Sequence, residues 1–299
     1  MDKLWQEIHK VMQTIPHEKI IHLATNIQKR LMSGEHELKQ QKSKNDWVTE
    51  ADFKIQEIIL SHFFQSALQG TYHVITEETL ATTSKDSNAI KKDWTLVIDP
   101  LDGTNAFCKG SNEWGVMIGG CDLTGVLRAS WCLLSTGELY TSFLRKKHSK
   151  LVAFDKKRQA GKTLLLDIYD YDGGLVDKVS QQVCEKFKIL PQKLKVTCYP
   201  SAIWAGWELY QGKLDGLLWL PSNTGKKWYP DYDLTFLAAV ASRGLNCILG
   251  KVDSFNALLA IGPTVYDAEK LYSIGFDATP TSIRGTLKKT QFPMQITQI

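Results

Sequence analysis

The chain has 299 residues, 43% hydrophobic, 23% charged and 10% aromatic, an ordinary globular composition that excludes bulk disorder and a small disulfide-stapled scaffold. Its 36 Lys and Arg against 32 Asp and Glu leave a net charge of +4, which admits an anionic substrate and argues against a dedicated nucleic-acid binder. No apolar run approaches the ~20 residues of a membrane span. The opening Met1-Asp2-Lys3-Leu4-Trp5-Gln6-Glu7 lacks the apolar centre of a signal peptide, so the expected compartment is the cytoplasm, with no membrane partner. None of the cysteines, Cys108, Cys121, Cys132, Cys184, Cys198 and Cys247, has C-x-x-C spacing, and free thiols are expected.

Leu4, Trp5, Ile8, Val11 and Met12 recur at helical spacing. Pro16 interrupts the pattern, and a second helix follows on Ile20, Ile21, Leu23, Ala24, Ile27 and Leu31, with Ser33-Gly34 as its stop. Residues 35 to 46 are polar and read as a loop. A third helix is expected from about Thr49 to Leu68, then a strand over Tyr72-His73-Val74-Ile75 that ends at Glu77 and Glu78, then a surface excursion over 81 to 93. Trp94-Thr95-Leu96-Val97-Ile98 reads as a buried strand, with further strands at 116 to 119 and 127 to 131. The basic stretch from Arg145 to Lys162 reads as a solvated hairpin or loop near a lobe boundary. Beyond it come a strand at 164 to 168, a helix over about 175 to 188, a helix from near Ser201, a strand at 217 to 220 and a helix over about 234 to 242. Helices and strands alternate along the whole chain, so the class is α/β or α+β.

The strongest chemical signal is Asp99-Pro100-Leu101-Asp102-Gly103-Thr104. A buried strand ends in two carboxylates three residues apart, Pro100 fixes a backbone angle between them, and Gly103 lets the chain turn close to a ligand. Carboxylate oxygens suit hard cations such as Mg²⁺. Backbone N–H groups at Gly103 and Thr104 suit a phosphate oxygen. Together these are the parts of a site for phosphoryl chemistry. One acid of the Glu77-Glu78 pair can complete a metal site if its strand neighbours this one. Pro230-Asp231-Tyr232-Asp233 either caps a helix or supplies a third carboxylate.

With Val48-Thr49-Glu50-Ala51-Asp52, Ile75-Thr76-Glu77-Glu78-Thr79, Val97 to Phe107, Ser201-Ala202, Gly212 to Gly216 and Tyr232-Asp233, the chain resembles the inositol monophosphatase family of Mg²⁺-dependent, lithium-sensitive phosphatases. The resemblance implies an α+β fold of alternating layers, an α-β-α-β-α sandwich like that of fructose-1,6-bisphosphatase. Its two lobes are expected at 1–145 and 146–299, and a homodimer is expected. It implies two or three Mg²⁺ ions held by Glu77, Asp99, the Leu101 carbonyl, Asp102 and Asp233. Thr104, Glu77 and, behind them, Asp52 would serve catalysis, with Asp52 hydrogen-bonded to Thr104. Gly103 and Thr104 would hold the phosphate, with Asp102, Ser201, Ala202 and Asp233 on the substrate side. The implied activity is hydrolysis of a small phosphorylated alcohol of the inositol monophosphate type by water attack on phosphorus. Cys108 needs no role as a nucleophile and reads as an ordinary thiol.

Several positions depart from the family pattern. Asp231 rivals Asp233, and Pro200 stands where a glycine is expected before Ser201. Trp219 falls where inositol-specific members carry a glutamate, which argues against tight inositol selectivity. The insert Pro221 to Tyr229 and the basic stretch after Arg145 favour a more anionic substrate. A 3'(2'),5'-bisphosphate nucleotidase or a sugar bisphosphate phosphatase is therefore the alternative activity, and a catalytically silent phospho-ligand binder is the alternative of a different class.

Overall fold

The computed structural model describes residues 2–43, 46–79, 93–123, 127–143, 164–169, 190–211, 216–219, 246–252 and 255–261, with a few single positions between 177 and 214. The chain divides into two compact units. The first is formed by residues up to His148 and takes back Pro200–Trp204 from the second half; the second includes Ser149–Tyr199 and Ala205–Pro230.

The first unit opens with helices α1 (Asp2–Gln13) and α2 (His17–Met32). Trp5, Ile8 and Met12 of α1 and Ile20, Ala24, Ile27 and Leu31 of α2 are buried, the 3.6-residue period expected of helices with one apolar face. Helix α3 (Glu50–Phe64) stops short of the expected Leu68. The Ser66 hydroxyl donates to the Phe63 carbonyl at 2.7 Å and accepts from Leu68 N–H at 3.1 Å, so a side chain replaces the next helical bonds.

Strands β1 (Lys39–Ser43) and β2 (Asp46–Thr49) form an antiparallel hairpin where the sequence reading expects a loop. Lys39-Gln40-Gln41-Lys42-Ser43 has no apolar alternation to betray a strand. Backbone pairing makes it, helped by Lys39 Nζ lying 4.9 Å from the Trp47 ring centroid.

The central sheet contains β3 (Tyr72–Thr76), β4 (Trp94–Asp102), β5 (Gly115–Asp122), β6 (Leu127–Leu134) and β7 (Leu139–Phe143), in that order. Only the β3–β4 pair is parallel, so Glu77, just past β3, leaves the sheet at the same end as the Asp99–Asp102 segment of β4. Trp94, Leu96 and Ile98 of β4, Val116 and Ile118 of β5, and Ala129, Trp131 and Leu133 of β6 join one core with the three helices, the two-residue period of a sheet face. Strand β7 was not anticipated. Helix α4 (Thr104–Phe107) follows β4 directly.

The second unit has a sheet of order β11-β12-β10-β8-β9, from β8 (Leu164–Tyr169), β9 (Leu194–Thr197), β10 (Gly216–Trp219), β11 (Asn246–Val252) and β12 (Phe255–Ile261). Strand β8 pairs in parallel with β9 and β10, while β12 runs antiparallel to β10 and β11. Strands β9, β11 and β12 were not anticipated. Helix α5 (Ala202–Tyr210) starts where expected, and Asp177, Ser180, Gln181 and Cys184 are helical, as expected for 175 to 188. The expected helix over 234 to 242, the basic stretch and the 221–229 insert lie outside the described residues. Among the described residues no helix is long and apolar enough to cross a membrane.

Candidate functional site

The site begins with a defect in a strand. Pro100 has no N–H to give the ladder, and the β4–β5 register slips between Asp99 and Asp102. The freed segment is tied by its own side chain, as Leu101 N–H donates to Asp99 Oδ1 at 3.1 Å. This bulge leaves Leu101 outside the β4–β5 register, between the two aspartates.

Gly103 then takes φ +88°, in the left-handed region, and caps α4. A Cβ added there would lie 2.6 Å from the Glu113 carbonyl oxygen and 2.8 Å from Ser201 Cβ, so the Glu113 backbone and the Ser201 side chain both pack closely on the turn. Thr104, the first residue of α4, has a hydroxyl with two acceptors, the Leu101 carbonyl at 2.9 Å and Asp52 Oδ1 at 3.3 Å.

Asp52 is held from the other side. Its Oδ2 accepts from Thr49 N–H at 2.7 Å and from Thr49 Oγ1 at 2.6 Å, while Thr49 Oγ1 accepts from Ala51 N–H at 3.2 Å. This is a helix N-terminal capping box, and it leaves Oδ1 facing Thr104. Burial raises the Asp52 pKa to about 8; the Thr49 side-chain bond opposes the rise, and the charges of Glu78 and Glu77 add to it.

Asp102 points toward the start of α5. Its Oδ2 accepts from Ser201 Oγ at 2.8 Å and from Ile203 N–H at 2.5 Å. Burial raises its pKa to about 6, against the bonds from Ile203, Ser201 and Ala202, with Glu77 adding to the rise. Glu77 therefore acts electrostatically on both Asp52 and Asp102. Lys42 of β1 balances the acid pair, with Nζ 3.3 Å from Glu77 Oε1 and 2.8 Å from Glu78 Oε1.

Glu77, Asp99, Leu101, Asp102, Gly103, Thr104, Asp52, Ser201 and Ala202 all belong to the first unit. Asp233 and its rival Asp231 lie outside the described residues. Among the described residues no three His, Cys, Asp or Glu side chains converge as a ready metal cluster. The donors nevertheless fit a hard cation by type, since all are oxygens. They also fit by field, because the Glu77 charge raises the pKa of both Asp52 and Asp102 and an added positive charge would offset it. Burial pushes the half-buried Cys108 thiol up to about 11, with Lys39 lowering it and Asp52 raising it, so it stays protonated near neutral pH.

Sequence reasoning missed Lys42, which lay in the supposed loop, and the Ile203 and Glu113 backbone groups, which carry no side-chain signal. The Thr49–Asp52 box was legible as T-x-x-D ahead of an apolar helix.

The site is thus a bulged strand bearing two carboxylates, followed by a glycine-opened helix and backed by a buried Thr–Asp pair. Residues 11–150 match the model of the inositol monophosphatase family, which bears out the resemblance read from the sequence over that stretch. The Nus factor SuhB of Pasteurella multocida (strain Pm70) is 43% identical over 77 residues, 26% of this chain and 26% of that protein. The chain thus matches about a quarter of that relative's length. Inositol monophosphatase II from Staphylococcus aureus MSSA476 superposes with a TM-score of 0.57 at 14% identity, covering 91% of this chain and 97% of that one. An IMPase/NADP phosphatase complexed with Mg²⁺ and phosphate does so with a TM-score of 0.60 at 12% identity, covering 91% and 98%. The chain has the inositol monophosphatase fold, the α+β layered class expected from its sequence.

Proposed function

We propose that this protein is a Mg²⁺-dependent phosphomonoesterase that hydrolyses a small phosphorylated alcohol. The observation that carries the reading is the Asp99–Asp102 bulge with the buried Thr104–Asp52 pair behind it. Family resemblance over residues 11–150 and the phosphate-bearing structural relative support it.

Glu77, Asp99, the Leu101 carbonyl, Asp102 and Asp233 would hold two or three Mg²⁺ ions. Bound Mg²⁺ supplies Lewis-acid stabilisation of phosphoryl oxygens and lowers the pKa of water. The chain's own residues do the rest. Gly103 and Thr104 bring first-turn N–H groups to the phosphate, because amides that open a helix have no partner within it. Thr104 Oγ1 gives its proton toward Asp52 Oδ1 and so offers a lone pair to the attacking water. Thr49 keeps Asp52 in place, with Oδ1 facing Thr104. Glu77 orients the same water. Ser201 and Ala202 lie on the side of the alcohol portion, where Asp102 receives their hydrogen bonds.

The test is inorganic phosphate release from inositol 1-phosphate, adenosine 3',5'-bisphosphate and fructose 1,6-bisphosphate, with Mg²⁺, with a chelator, and for Asp99→Asn. Mg²⁺-dependent release lost in the variant supports the reading, and the preferred ester identifies the substrate branch. No release from folded, Mg²⁺-loaded protein on any ester refutes it in favour of a silent phospho-ligand binder. Mg²⁺ should also raise the melting temperature of the wild type and not of Asp99→Asn, since a ligand at 100 times its Kd adds about 2.7 kcal/mol.

A further inference from the structure

We propose that Gln28, on α2 and far from the site in sequence, is a positioning residue for the phosphate-binding turn. The inference rests on the reading of Gly103–Thr104 as that turn.

Gln28 is 8% exposed. Its Nε2 donates to the Phe107 carbonyl at 3.1 Å and to the Ser111 carbonyl at 2.8 Å. Both partners only accept, so the facing atom is the amide nitrogen, and both of its protons are used. These carbonyls bracket the segment that leaves α4. Phe107 N–H donates to the Gly103 carbonyl at 2.9 Å and Cys108 N–H to the Thr104 carbonyl at 2.9 Å, which links the clamped end to the turn through one helical turn. The segment then returns to the turn, since the Glu113 carbonyl is the atom that packs against Gly103.

A second contact comes from the same face of α2. Met32, four residues after Gln28, covers Gly110 so closely that a Cβ there would lie 2.7 Å from its Sδ, and Gly110 sits at φ +77°. Gln28 and Met32 together make α2 a platform under residues 107–113. An apolar side chain at Gln28 would take a donor from both carbonyls and leave that of Phe107 with the Gly110 N–H at 3.0 Å. The segment and the turn it supports would then relax.

The test compares wild type with Gln28→Met, which keeps the volume and removes the donors, and Gln28→Asn, which keeps the amide and withdraws it by one methylene. Hydrogen exchange is followed by mass spectrometry with no substrate present. Phosphate release and inhibition by inorganic phosphate are measured well below the melting temperature. Expected are faster exchange confined to 103–113, a fall in kcat/KM of about tenfold or more, and a matching weakening of inhibition by phosphate. Wild-type exchange and wild-type kcat/KM in both variants would overturn the proposal. So would faster exchange spread evenly over α1, α2 and α3 with unchanged kcat, which is the mark of a merely structural residue. If Gln28→Met does not fold, Gln28→Asn decides alone. If wild type itself hydrolyses nothing, the functional reading fails, and exchange with phosphate binding by calorimetry still decides whether Gln28 holds the turn.

Discussion

Gly103→Ala tests the turn most directly, and the fold supplies its control. Gly103 and Gly137 have nearly the same φ, +88° and +89°. Around Gly137 nothing lies within 4 Å of an added Cβ, whereas at Gly103 that atom would meet the Glu113 carbonyl at 2.6 Å and Ser201 Cβ at 2.8 Å. Gly137→Ala therefore isolates the left-handed backbone cost, about 1–2 kcal/mol. Gly103→Ala adds an overlap with backbone that must be relieved by moving either 113 or the start of α5. An overpacking cost of about 1–3 kcal/mol comes on top, for a total of roughly 2–5 kcal/mol. Activity should separate the two variants further. Gly137→Ala should keep wild-type turnover, while an ångström-scale shift of the turn should lower kcat/KM by about 100-fold. Urea unfolding measures the first quantity and phosphate release the second. Equal stability loss in the two variants, with activity retained in Gly103→Ala, would refute the close packing of Glu113 and Ser201 on the turn.

Three further outcomes are expected. The folded Asp52 carboxyl is raised from 3.8 to about 8, so the folded state holds an extra proton between these values and stability falls as pH rises through that window. In metal-free protein, urea unfolding from pH 5 to 8 should show a slope of no more than about 1.4 kcal/mol per pH unit from this group, lessened in Asp52→Asn, which should also lose most activity; an unchanged slope refutes the assignment. Cys108→Ser should keep turnover within about threefold, and wild type should resist alkylation at pH 7, because the thiol is pushed up to about 11; loss of all activity would make the sulfur a participant. Trp94→Ala should cost about 3–5 kcal/mol in urea unfolding, since its ring is fully buried against Trp5, Phe63 and Tyr72 and its Nε1 donates to Thr71 Oγ1 at 3.1 Å; a loss below 1 kcal/mol would contradict that packing.

The sequence by itself determined the elements whose apolar spacing is regular, α1, α2, α3, β3 and the first half of β4. It also determined the Asp99–Thr104 string, because side-chain type, Pro100 and Gly103 constrain the chain locally. It did not reveal the β1–β2 hairpin or strands β9, β11 and β12. In a strand such as Lys39–Ser43, backbone pairing with the strand that follows makes the structure, and no apolar period records it. Tertiary structure alone brought Lys42 to the Glu77–Glu78 pair, aimed Asp102 at Ser201 and the Ile203 N–H across about a hundred residues, and set Gln28 against the Phe107 and Ser111 carbonyls. Such contacts depend on which surfaces meet after the helices close on the sheet, and single residues far apart in sequence carry no trace of that meeting.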